Sequence, residues 1–161
     1  GEESLTVTDV TTAVSISGIE ADNYQMLVAG LNEMQVSGVP GPELMSQASQ
    51  LLKNGFIVEF NDWNASVEEQ GINFSAALTV PENEVADVSN PFSLLGLFAN
   101  ISAVADLRFD AGLADVPQTY DAVFSLLSTG ALVNAGDQYA MNFQLENGVA
   151  LLNGEPLPLP F

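Results

Sequence analysis

Carboxylates are the only plentiful reactive groups in this chain. Twenty-one Asp and Glu stand against two cations, Lys53 and Arg108, and there is no His and no Cys. Ser-His-Asp triads, Cys-His dyads and the usual zinc sites are therefore excluded. No Walker loop and no dinucleotide-binding glycine fingerprint occurs. Lys53, the sole side-chain amine, falls in the last turn of a predicted helix before Asn54-Gly55, where a cation complements the helix dipole. A glycosidase would need two carboxylates facing each other across a cleft. Asp106 and Asp110 share a predicted strand face, but Arg108 lies between them, the arrangement of a surface ion-pair cluster. Asp62, Glu68, Glu69 and Asp137 border turns, as calcium ligands do, yet no Asp-x-Asp-x-Asn-Gly loop is spelled out. The chain thus reads as non-enzymatic, with no cofactor and no metal site.

The residues left to carry function are apolar. Trp63, the only tryptophan, falls where a long strand bends, as a core residue or as a lid over a sheet edge. A short predicted helix, about Pro91 to Asn100, carries Phe92, Leu94, Leu95, Leu97 and Phe98, leaving almost no wet face. Such a helix is buried on all sides, covers a sheet edge, or meets a partner or ligand. These six residues are the candidate contact site. Three Asn-x-Ser sequons, at Asn64, Asn73 and Asn100, are expected by coincidence in so Ser- and Asn-rich a chain.

Alternation and helical spacing define the elements that must position these groups. Leu5 to Ile16 reads as a strand whose register slips near Asp9-Val10, the mark of a bulge or bend. A helix follows Gly18, with Asp22 as cap and Tyr24, Leu27, Val28, Leu31 and Met34 inward. A second runs from about Glu43 to Lys53 and stops at Asn54-Gly55. Phe56, Val58 and Phe60 alternate in one register and Trp63, Ala65 and Val67 in the other, with a bend at Asn61-Asp62. After a corner at Glu69-Gln70-Gly71, Ile72 to Val80 alternates strictly, apolar against small and polar. Ala103 to Phe109 is a further strand, and a helix opening at Asp115 turns Tyr120, Val123, Phe124 and Leu127 inward. Tyr139 to Leu145 alternates again. Asn147-Gly148 is the strongest hairpin signal, and Asn153-Gly154 turns once more.

These elements predict one α+β domain over residues 1–161. It is a twisted, mainly antiparallel sheet of six to seven strands, with about four helices packed on one face through Leu27, Leu51, Leu95 and Phe124. Leu51-Leu52-x-x-Gly55 with its hairpin is echoed 75 residues later by Leu126-Leu127-x-x-Gly130, Asp62 falling on Asp137. The echo fits two copies of a helix–hairpin unit, and also coincidence among common Leu and Gly pairs.

The net charge of −19 excludes nucleic acid and anionic membrane surfaces as direct partners, since there is no basic patch. It fits a saline or exposed medium, or alternatively a cation-binding surface. A folded protein of this mass exposes roughly 7,700 Å², which spreads the net charges about 20 Å apart. No stretch approaches the roughly 18 apolar residues that span a bilayer. The start at Gly1-Glu2-Glu3 suggests a mature or excised form.

The closing pattern Leu126-Leu127-x-x-Gly130-x-Leu132-Val133, Asp137-x-Tyr139, Leu145-x-Asn147-Gly148 and Leu152-Asn153-Gly154-x-Pro156-Leu157-Pro158 resembles the YdgA-like family of bacterial envelope proteins of unknown function. Val14-Ser15-Ile16-Ser17-Gly18-Ile19 before a helix is also similar. The likeness is specific only over the final 35 or so residues. It implies the C-terminal domain of a longer Gram-negative protein, periplasmic and anchored to the inner membrane by a segment outside this chain. It implies no catalytic residue. The expected function is protein–protein contact or a structural role, with an envelope protein or a second copy as partner. The alternative is a carrier of a lipid or other hydrophobic ligand in a groove between helices and sheet.

Overall fold

The computed structural model describes residues 5–84 and 87–157. Eight strands form a single sheet: β1 Val7–Ser17, β2 Phe56–Val67, β3 Gln70–Val80, β4 Ser102–Asp110, β5 Val133–Asn134, β6 Gln138–Glu146, β7 Val149–Leu152 and β8 Glu155–Leu157. Their order across the sheet is β1-β2-β3-β4-β6-β7-β8, every pairing antiparallel, with β5 pairing the start of β6. The count exceeds the expected six to seven because β5 and β8, two and three residues long, are too short to show alternation. The helices are α1 Ala21–Ser37, α2 Pro42–Asn54, α3 Pro91–Phe98 and α4 Pro117–Ser128, and a 3-10 turn spans Ala111–Asp115. The order strand, helical pair, strand, strand occurs twice, as β1-α1-α2-β2-β3 and as β4, 3-10 turn, α4, β6, β7. The second half departs from the first after Gly130, where the chain folds back as β5 before entering β6.

Both expected strand bends are β-bulges. The ladder between β1 and β2 slips between Thr8 and Thr11, and that between β2 and β3 slips between Phe60 and Trp63. Asp9 and Asp62 sit at these slips with φ of 54° and 53°, a left-handed conformation that Asp tolerates better than most residues. Each extra residue returns the side chains after it to the face used before it. Phe60 lies opposite Ala76 and Trp63 opposite Phe74, so Phe56, Val58, Phe60, Trp63, Ala65 and Val67 share one apolar face. That face continues through Ile72 and Phe74, Leu107 and Phe109, and Tyr139 and Met141. At the β2–β3 corner the turn residues are Glu68 and Glu69, with φ of 48° and 68°, and Gly71 already belongs to the strand.

The core lies at the end of this face where β2, β3, β4 and β6 bring Val67, Ile72, Phe109 and Tyr139 together. Val67, Phe109, Leu113, Val123 and Leu132 are its buried centre, with Ile72, Leu107, Val116, Leu127, Tyr139 and Met141 packed against them. Leu113 comes from the 3-10 turn and Val123 from α4. Phe124 does not face inward. It is 60% exposed and stacks on Tyr120, ring centroids 6.1 Å apart. Val123 and Leu127, with the N-cap residue Val116, form the packed stripe of α4, and Tyr120 and Phe124, at i and i+4, lie beside it.

The two N-terminal helices bury far less than α4 and the 3-10 turn do. α1 buries none of its residues, and the expected inward stripe at Tyr24, Val28 and Leu31 is exposed. Asp22 does not cap it; the N-cap is Glu20, without a side-chain hydrogen bond. α2 starts at Pro42 behind Gly41 and buries Leu44, which packs against Gly30 of α1. Gly55 ends α2 with φ 69°, and a Cβ there would lie 2.7 Å from Val80 O and Glu82 N. Only glycine lets β2 start so close to the end of β3.

Candidate contact surface

Two faces of the sheet offer surface for function, and they differ in chemistry. The polar face carries a cross-strand ladder. Asn73 Nδ2 donates to Asn64 Oδ1, and Asn64 Nδ2 donates to Thr11 Oγ1 at 3.3 Å and to Asp62 O at 2.8 Å. Further along, Gln144 Nε2 donates to Asn142 Oδ1 at 3.0 Å, and Asn142 Nδ2 donates to Asp106 Oδ2 at 3.1 Å. Asp110 accepts from Gly71 N at 2.7 Å and from Gln138 Nε2 at 3.2 Å. The hydrogen-bond donors to the two carboxylates are thus amides, in place of the ion-pair cluster with Arg108 that the sequence suggested. Asp62, Asn64, Asn73, Ser75, Asp106 and Arg108 line an open groove of about 460 Å³ on this face.

The second surface is apolar and lies on β1. Every residue of β1 is exposed. Val7 pairs with Val67, Val14 with Phe60 and Ile16 with Val58, so these side chains lie on the apolar face. They are 51%, 51% and 50% exposed. The same face is roofed by α4 and the 3-10 turn over β4 and β6 and stands open here. β1 is also an edge of the sheet path.

The six residues singled out from sequence do not form one patch. Trp63 is half-buried on β2, across from Phe74. On α3, Leu97 is buried, at 4%, whereas Phe92 is 82% exposed. The side chains of Leu94, Leu95 and Phe98 lie outside the described residues. Phe92, Ser93, Gly96 and Asn100 line one wall of an open cleft of about 650 Å³, with Pro81, Glu82 and Asn147 among the other residues around it. Asn90 caps α3 through Phe92 N. Before it, the Ser89 hydroxyl and N–H hold the Asp87 carboxyl below the usual carboxylate range. β1 was missed as a site because its Val and Ile read as ordinary strand positions; only the absence of a roof distinguishes them.

Among the described residues no group of three or more acids is placed to hold a metal ion, and no helix is long and apolar enough to cross a membrane. Comparison with family models, curated proteins and solved structures finds no match to this chain. The likeness to YdgA-like proteins therefore rests on the residues quoted for it.

Proposed function

We propose that this chain is a non-enzymatic contact module whose working surface is the open apolar face at β1. The observation that carries the reading is the exposure of Val7, Val14 and Ile16 in register with residues of the sheet's core face. Burying an aliphatic side chain contributes about 1.5–3 kcal/mol, so a row of them left in water favours association. Contact is favoured over carriage because the helix-covered half of the sheet is filled by Phe109, Leu113, Val123 and Leu132. The repeated strand–helix–strand order reads as two copies of one unit, the first left unroofed for binding. A periplasmic setting and an inner-membrane anchor follow from the YdgA-like resemblance alone.

The test is a photo-crosslinking amino acid placed at Val14 in cells of the host, with Val36, 91% exposed on α1, as the control position. A discrete protein adduct at Val14 and none at Val36 is expected. Equal adducts at both positions, or lipid adducts alone, would overturn the contact reading.

A further inference from the structure

We infer that β1 accepts an added polypeptide strand, one that alternates apolar residues with Lys or Arg. The inference rests on the contact reading above and names its occupant. An edge strand turns alternate N–H and C=O groups outward, a template for another strand. Proteins blunt such edges with Lys, Pro, bulges or very short strands. β1 has neither Lys nor Pro, runs for eleven residues, and carries one bulge, at Asp9. From Val10 to Ser17 the edge holds no charged residue.

Side chains on the two faces of β1 specify the pattern of the incoming strand. On the apolar face, Val14 and Ile16 would gain neighbours from every second residue of an added strand. On the other face β1 presents Thr8, Thr11, Ala13, Ser15 and Ser17, all small and uncharged. Glu59 lies opposite Ser15 and accepts its hydroxyl hydrogen bond at 2.8 Å. An added strand would lie about 9.6 Å from β2, two strand spacings away. A Lys or Arg laid across the small Ser15 reaches the Glu59 carboxylate from there. The net charge of −19 favours a basic strand and opposes a second copy of the chain. This is strand addition, in which main-chain bonds give affinity and alternate side chains give specificity.

Labelled eight-residue peptides, blocked at both ends, test the inference by fluorescence anisotropy on the intact chain. An alternating Val/Lys peptide should bind at least tenfold more tightly than Val/Glu and than a block peptide of the same composition. N-methylation of its alternate amides should abolish binding. Ser15→Lys should weaken binding tenfold or more with an unchanged melting curve, and Glu59→Gln should weaken it severalfold and flatten its salt dependence. Equal binding of the block peptide reduces the effect to charge, and equal binding of the N-methylated peptide shows that the backbone edge is unused. Either result overturns strand addition. A dimer in sedimentation that Ser15→Lys dissociates would make the occupant a second copy and overturn it too. If no peptide binds while the Val14 adduct persists, strand addition fails and the contact reading stands; if both are lost, both fail.

Discussion

Asn153 shows how much one turn residue can hold. Its backbone sits at φ 52°, its Oδ1 accepts from Asn142 N at 2.8 Å, and its Nδ2 donates to Gly130 O at 3.1 Å and Ala131 O at 3.0 Å. It thereby ties the β7–β8 turn to β6 and to the segment leaving α4. Asn153→Ala should cost about 1–3 kcal/mol through unpaired backbone groups. Asn153→Gly should cost a comparable amount in urea denaturation, although glycine adopts that φ freely; a neutral glycine variant would mean the bonds contribute nothing. The turn was legible as Asn-Gly, but its cross-links were not, because their acceptors lie 22 and 23 residues away. Aromatic placement gives a second check on side chains. Phe109→Ala should lose about 3–5 kcal/mol, whereas Phe124→Ser should stay within about 0.5 kcal/mol. Comparable losses for the two would put Phe124 back in the core.

The strands were legible because alternation reports directly which face is buried, and the two bulges were legible because each displaces that alternation by one residue. The faces of the helices were not. α4 carries apolar residues around more than one stripe, and its packed side depends on Leu113, delivered by a five-residue turn with no periodicity of its own. α1 likewise has an apolar stripe, and its Tyr24, Val28 and Leu31 stay exposed, which no local pattern reports. α3 divides between these cases. Leu97→Ser should destabilise by at least about 2–5 kcal/mol, through the cavity and the buried hydroxyl. Phe92→Ser should stay within about 0.5 kcal/mol. Equal losses in chemical denaturation would show that α3 packs as one solid element.

At the scale of the molecule the surface is larger than its mass predicts. The accessible area is 10381 Å², against roughly 7,700 Å² for a folded monomer of this size. The exposed faces of β1 and α1 are part of this area. Charge acts on the same surface, since 21 acids face two cations. Raising salt from about 10 to 150 mM shortens the Debye length from about 30 to 8 Å and should relieve the self-repulsion. The melting temperature is expected to rise over that range; a flat curve would show that the acids are too dispersed to interact.

The place of β1 in the chain also has a consequence in time. β2 and β3 meet across a two-residue turn, whereas Ser17 reaches Ile57 only after α1 and α2 have been threaded between them. Closing a loop of roughly forty residues instead of about four costs about 2 kcal/mol more entropy. β1 is therefore expected to dock last and to leave first, without unravelling the β2-β3-β4-β6 meander behind it. Amides from Val10 to Ser17 should exchange with deuterium well before those from Ile72 to Val80. A partner held at that edge would act as a latch, lengthening the time for which this late-docking strand stays paired.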